Sequence, residues 1–468
     1  MSVDWPIQTL GEVCEKITDG AHNSPKSVDH GKPMASVKDL TRFGIDLSNA
    51  RLISQEDFEK LVKQGCQPEV GDVLIAKDGN SALDTVCTVD EPTNVVLLSS
   101  VAILRPHKDK LDSDFLKYYF SSKQVIEYLK NNFISGAAIP RVVLKDLRKA
   151  EIKVPPLYIQ KGISKKLRAL DDKIKLNNQI NDTLESIVQA IFKSWFVDFE
   201  PVKAKMRALQ AGHSNNEAEH AAMRAISGKD ETELKQLQQQ KPEYFVELTK
   251  TAAVFPSTME ESNLGCIPEG WTISEIGNEV TVVGGGTPST KNNEFWDGGI
   301  FLWATPKDLS NLREKVLIDT ERKITEEGLK RISSGLLPVN TVLMSSRAPV
   351  GYLAIAKVPL AINQGFIAMN CNKILSSEYV LQWCSFQMDE IKQRASGTTF
   401  AEISKKSFNP IPVVVPMYEV IEKFTNHVKF IYSKIEQNIQ ESMTLSQLKE
   451  SLLPKLLSGE IELIDEEY

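Results

Sequence analysis

Two long stretches of this chain match each other without a gap at an offset of 261 residues, so the fold that one adopts must also suit the other. Ser135-Gly136 pairs with Ser396-Gly397, and Ile152-Lys153-Val154-Pro155 with Val413-Val414-Val415-Pro416. Past the shared proline the offset holds through Ile174 with Ile435, Asn177 with Asn438, and Thr183-Leu184 with Thr444-Leu445. Upstream it drifts, as loop insertions would produce: Trp5-(x4)-Leu10-Gly11 matches Trp271-(x4)-Ile276-Gly277, and Val73-Leu74-Ile75 matches Val342-Leu343-Met344. The plan is a globular module of about 150 residues followed by a long helix, used twice.

The helices are read from their period. Ile163, Leu167, Leu170, Ile174, Asn177, Asn181, Leu184, Val188, Ile191 and Trp195 step alternately by four and three, which is a coiled-coil seam. Phe424, Val428, Ile431, Ile435, Asn438, Ser442, Leu445, Lys449, Leu452 and Leu456 repeat it, and Pro454 is expected to end that helix. Each seam needs a cover, and its natural partner is the other helix. An antiparallel pair would be a rod of roughly 60 Å with a module at each end, related by an approximate two-fold axis, which suits a target with approximate dyad symmetry. Mid-seam both copies turn polar, with Asn177 and Asn181 in one and Asn438 and Ser442 in the other; such positions fix register, because a slipped pairing would bury an amide against hydrocarbon, or are surface-facing irregularities, and the recurrence of asparagine favours register.

The modules mix short β-rich runs (72–76, 95–104, 341–344, 413–415) with helical ones (114–129, 377–394), which predicts α/β or α+β target modules carried on a two-helix coiled coil. The expected boundaries are a first module 1–155, a helix 156–200, a connector 201–262, a second module 263–415, and a second helix with its tail 416–468. The connector, with Gln238-Gln239-Gln240 and many Ala, Glu and Lys, is expected to be partly helical with little core of its own.

Composition narrows the function classes. With 41% apolar residues over 468 positions the chain is globular and multidomain. No window approaches a membrane span and the amino terminus lacks a secretory pattern, so the expected location is cytoplasmic, with no membrane partner. Six cysteines without a C-x-x-C pair are read as buried thiols. The net charge of −7 is concentrated in residues 416–468, which hold 5 basic against 10 acidic residues, so the modules are near neutral and charge alone excludes little.

Catalytic motifs are missing. The sequence has no G-x-x-x-x-G-K-[ST], no H-E-x-x-H and no G-x-S-x-G, and its six histidines lack metal-ligand spacing. Gly284-Gly285-Gly286-Thr287-Pro288 does not fit G-x-G-x-x-G and reads as a loop needing close backbone approach to a partner. Asp146 with Glu151 and Lys153 falls short of a nuclease site, since the second copy does not repeat it. Asn409-Pro410-Ile411-Pro412 falls short of an amino-methyltransferase motif, lacking its second proline and its aromatic. A non-catalytic reader, a single-chain methyltransferase or nuclease, and a coiled-coil scaffold that binds protein alone are the three readings in play.

Several strings resemble the DNA-specificity subunit of type I restriction-modification enzymes. Ile191-Phe192-Lys193-Ser194-Trp195-Phe196-Val197-Asp198-Phe199-Glu200-Pro201-Val202 is similar to the end of that family's central helix, and Leu452-Leu453-Pro454-Lys455-Leu456-Leu457-Ser458-Gly459-Glu460-Ile461 to its carboxy-terminal signature. Leu264-Gly265-Cys266-Ile267-Pro268-Glu269-Gly270-Trp271 resembles the stretch leading into a target-recognition domain, and Gly285 to Lys291 with Trp303 to Leu309 a frequent opening of it. The longer connector departs from the family pattern. The resemblance implies a subunit with no cofactor of its own, each module reading one half of a bipartite double-stranded DNA site and the helices setting the gap. It also implies two methyltransferase subunits carrying S-adenosylmethionine, and two restriction-translocase subunits using ATP and Mg2+.

Polar, glycine-flanked loops are where bases can be approached. In the first module these offer Thr18, Asp19, Gly20, His22, Lys38, Lys77 and Arg141. In the second they offer Thr287, Ser289, Thr290, Lys291, Lys307, Arg347, Asn363, Gln364, Thr398 and Thr399, with Arg347 the best single choice for a guanine. Each is equally a residue that forms solvated turns. Trp195, Phe196 and Phe199 read either as a docking patch for a methyltransferase subunit or as the tip of the core.

Overall fold

The computed structural model describes residues 5–136, 140–310, 312–347, 349–397 and 401–461. The chain divides into two compact units, Met1–Asn177 with Gln440–Tyr468, and Asn178–Ile439.

In the first unit an antiparallel sheet runs in the order Cys14–Asp19, Val101–Pro106, Val73–Ala76, Val86–Thr88. Its central strands are apolar at every position but Arg105 because both faces are covered. Val73, Ile75, Ala102 and Leu104 pack toward Phe115, Leu116 and the long helices, while Leu74, Cys87, Val101 and Ile103 pack toward Ala35, Val95 and Leu97. A three-stranded sheet, Arg51–Ile53, Lys32–Ala35 and Val96–Leu97, lies beside it. Ile7–Thr9 pairs antiparallel with Glu151–Lys153, so the module's first strand is stitched to its last.

The second unit repeats this order. Thr281–Val283, Phe366–Asn370, Val342–Ser345 and Leu353–Ala356 form the larger sheet, extended by Val316–Leu317, and Arg322–Ile324, Phe301–Ala304 and Leu360–Ile362 the smaller. Thr272–Glu275 pairs with Pro412–Val415 as the closing stitch. Matching backbone bonds fix the first turn of each module: Leu10 and Gly11 N–H donate to Ala150 and Arg148, and Ile276 and Gly277 N–H to Ile411 and Asn409.

The long helices are Leu157–Phe192 and Tyr418–Leu457. In the first unit Asp171 meets Lys449 while Asn177 donates to Glu441 and Ser442, so the pairing is antiparallel. In the second unit Asn438 donates to Asn181 at 2.8 Å, both amides being buried, and Phe192 meets Phe424 edge to face in the same antiparallel sense. Of the seam, Ile163, Leu167, Ile174, Asn177, Asn181, Val188, Phe424, Val428, Ile435 and Asn438 are buried. Leu170, Leu184, Ile191, Ile431, Ser442, Leu445 and Leu452 are half-buried at its margins.

Two expectations need correction. The second helix runs through Pro454 to Leu457; a proline forfeits only one donor so near the end, and Gly459, at φ +70°, ends the segment with its N–H on the Leu456 carbonyl. Cys266 is exposed and Cys371 half-buried; the first lies at the exposed end of the short hairpin strand Gly265–Pro268, whose next residue, Ile267, is the one that enters the core. The connector is helical throughout much of its length, as Glu200–Gln210, Asn215–Ser227, Glu231–Gln240 and Pro242–Ala253, and has a small core of Ala222, Met223, Leu234, Leu248 and Ala252. Lys205, buried in this segment, donates to the Phe255 carbonyl at 2.6 Å, and burial lowers its pKa.

Candidate nucleic-acid interface

One edge of the first module gathers the ends of several strands. Gly20 N–H donates to Val101 O and Ala21 N–H to Leu97 O, Lys77 N–H donates to Ser100 O, and Val142 N–H to Lys77 O. Thr18, Asp19, Gly20, His22, Lys77 and Arg141 therefore share this edge. A Cβ on Gly20 would collide with the Leu97 carbonyl, which is why the crossing needs glycine. Lys38 projects from the short helical turn Val37–Asp39, whose Ser36 and Asp39 cap each other reciprocally.

Lys77 is not a surface contact. It is 5% exposed and paired with Asp19, which also faces the exposed His22 ring at 3.2 Å. A lysine so buried needs a carboxylate partner, so it braces the edge from beneath. Arg141 is the outward cation, its side chain 60% exposed, with Nε 3.0 Å from Asp78 Oδ1.

The second module builds the same edge from different residues. Gly286 N–H donates to Ile362 O, and a Cβ on Gly285 would collide with the Ile362 carbonyl. Thr287 hydroxyl donates to Gln364 Oε1 at 2.5 Å, and Asn363 Oδ1 accepts from Gly365 N–H. The stretch bearing Ser289, Thr290 and Lys291 is held by two indoles: Trp303 Nε1 donates to Gly286 O and Trp296 Nε1 to Ser289 O, with Arg322 stacked 3.6 Å over Trp296. Thr305 and Asp308 repeat the Ser36 and Asp39 capping box, presenting Lys307 as the first module presents Lys38. The Glu321 carboxylate 2.8 Å from Lys307 raises that ammonium's pKa. Arg347 lies opposite Glu402, which sequence reasoning missed together with Asp78; the S/T-x-x-D signal of both capping boxes was legible and also passed over. Thr398 and Thr399 lie outside the described residues.

The proposed docking aromatics resolve toward the core. Trp195 and Phe196, 1% and 5% exposed, lie in a π-helical turn, Lys193–Val197, and pack against Phe255, Phe424, Tyr379 and Trp271. With Val188 and Phe192 both rings follow the i, i+4, i+7, i+8 spacing of a broad buried helix face. Phe199, at φ +53°, is half-buried against Trp271.

Among the described residues no group of three or more His, Cys, Asp or Glu is placed to hold a metal ion, and no helix is long and apolar enough to cross a membrane. Nor, among them, is a nucleophile poised beside a base at either edge. What the edges offer is hydrogen-bonding side chains of both charges on a backbone held by close crossings.

A family model described as type I restriction modification DNA specificity domain matches residues 2–186 and 268–444. The type I restriction enzyme HindI specificity subunit of Haemophilus influenzae is 32% identical over 384 residues, 79% of this chain and 82% of that protein. The type I restriction enzyme MjaIX specificity subunit of Methanocaldococcus jannaschii is 35% identical over 191 residues, 40% of this chain and 44% of that protein. A crystal structure of the S subunit of a type I restriction-modification system from M. genitalium aligns with a TM-score of 0.49 at 16% identity, covering 97% of this chain and 96% of that one.

Proposed function

Because the chain belongs to the type I restriction-modification DNA specificity family, we propose that it is the DNA-reading subunit of such a complex and performs no chemistry itself. The observation that carries this reading is the repeated loop edge: one backbone frame, fixed by Gly20 in one module and Gly285 in the other, bears different polar side chains in each. A fixed frame with changed side chains suits a reader of two different half-sites, since base edges are told apart by donor and acceptor pattern. Each module would read one half of a split double-stranded site, and the paired helices would set the gap.

The duplication also supports two equivalent docking places, one for each of two methyltransferase subunits, which would hold S-adenosylmethionine and carry out adenine-N6 methylation. Two restriction-translocase subunits would add ATP- and Mg2+-dependent cleavage. The near-neutral modules fit this division, with the partners supplying much of the charge that neutralises phosphates.

The test is to co-express the full chain with its methyltransferase subunit and map N6-methyladenine across host DNA. Methylation confined to one split motif, with each half changed by replacing 1–155 or 263–415, is the expected result. Methylation without a motif, or none from an assembled complex, would return the chain to the scaffold reading.

A further inference from the structure

The two modules hold one ion pair in common, and its polarity is reversed between them. In the first, an isolated bridge joins Asp78 to Arg141; in the second, an isolated bridge joins Arg347 to Glu402. The surrounding bonds show that these are the same two places. Lys77 N–H donates to Ser100 O and Ser346 N–H to Gly365 O; Val142 N–H donates to Lys77 O and Ile403 N–H to Ser346 O. Ser135 pairs with Arg141, and Ser396 with Glu402. The strand-end position is thus anionic in the first module and cationic in the second, and the position across from it is the reverse. The charged atoms lie 3.0 Å apart in the first and 3.9 Å apart in the second.

Stability does not account for keeping such a pair. Each pair has a member open to solvent, with side-chain exposures of 60% for Arg141 against 16% for Asp78 and 48% for Glu402 against 39% for Arg347, and ion pairs within reach of water add little to folding. A buried pair elsewhere makes the contrast. Asp72 and Arg105 form a two-bonded pair in the first module, and at the equivalent place the second has the uncharged Thr341 and Asn370, with the Thr341 hydroxyl 2.9 Å from Asn370 Oδ1. The frame tolerates loss of charge inside, yet carries opposite charges side by side at the exposed edge.

A guanidinium beside a carboxylate matches what one G·C pair shows in the major groove: guanine O6 and N7 accept, and cytosine N4 donates. We propose, resting on the DNA-reading function above, that Asp78 with Arg141 and Arg347 with Glu402 each read one G·C pair of their half-site, and that the reversed polarity makes the two modules read it in opposite orientation relative to the shared frame. The arginine faces guanine and the carboxylate faces cytosine on the other strand. Reversing the charges on an unchanged backbone therefore exchanges G·C for C·G at one position and leaves the other positions alone.

The experiment uses the full chain co-expressed with its methyltransferase subunit, the wild-type motif being mapped first. One variant carries Asp78→Arg with Arg141→Asp, a second carries Arg347→Glu with Glu402→Arg, and co-purification establishes that each assembles. The expected result for each is a motif altered from G·C to C·G at one position of one half-site, the other half and the gap unchanged, with methylation of the old motif falling roughly ten- to a hundredfold. A neutral variant, Asp78→Asn with Arg141→Gln, is expected to become degenerate at that same position, and carries the test if the reversed pair fails to assemble. An unchanged motif in assembled variants, or methylation weakened equally at every sequence, overturns the proposal. A wild-type complex without any split motif instead removes the DNA-reading function on which it rests, so the two failures are told apart.

Discussion

At single residues, close crossings and buried charge decide what the modules tolerate. Gly20 and Gly285 sit where a neighbouring strand's carbonyl leaves no room for a Cβ, so Gly20→Ala or Gly285→Ala is expected to cost about 1–3 kcal/mol by forcing backbone apart. Urea denaturation of the full chain measures it, and unchanged midpoints would contradict the crowding. Asp171 is a stronger case. Its carboxylate, buried on the first long helix, lies 2.5 Å from Lys449 Nζ and 3.3 Å from Lys117 Nζ. Burial alone would push its pKa up, but the two ammonium groups hold it below the usual carboxylate value. Asp171→Asn leaves both lysines buried without their counter-charge and should cost about 3–5 kcal/mol. Because the folded pKa is depressed, the carboxylate's contribution is complete above its unfolded value of about 3.9 and fades as pH falls through the folded one. The variant should accordingly show a shallower acid limb in thermal midpoint against pH. None of this was visible in the sequence, since the pattern reveals the stripe facing the other helix but not the one facing the module.

Between elements, the seam was the most legible part. Its period follows from helix geometry alone, and the asparagines stood out because they recur at the same offset in both copies. Asn438 Nδ2 donates to Asn181 Oδ1, and Asn181 also donates to Glu314 at 3.0 Å. Asn438→Leu should cost about 1–3 kcal/mol by stranding the Asn181 oxygen. Adding Asn181→Leu should recover part of that loss, so a double-mutant cycle by urea denaturation is expected to show a coupling of about 1 kcal/mol or more. Strictly additive costs would remove the register role. The π-helical turn at Lys193–Val197 was not legible, because one added residue per turn leaves no mark on composition. The pairing of Asp78 with Arg141 was equally hidden: 63 residues separate them, and only the folded edge joins them.

For the molecule as a whole, the repeat revealed the plan while individual loops stayed unreadable, since the frame recurs and its side chains do not. The connector's small core was hard to read because its few large apolar residues are spread over four short helices. That small core has a dynamic consequence. Amides in residues 215–253 should exchange hydrogen well before those of Val73–Ala76 or Val342–Ser345, which are covered on both faces. Hydrogen-exchange mass spectrometry checks this, and equal protection would show that the connector is held by more than its own core. The closing stitches have a different consequence. Ile7–Thr9 against Glu151–Lys153, and Thr272–Glu275 against Pro412–Val415, bring each module's way in and way out onto adjacent strands, with a long helix starting a few residues later. To a genome, such a module is a cassette: two crossovers at the stitch exchange everything between them without touching the helices. A lineage under pressure from changing invaders could then acquire a new half-specificity in one recombination, where point substitution would need many steps.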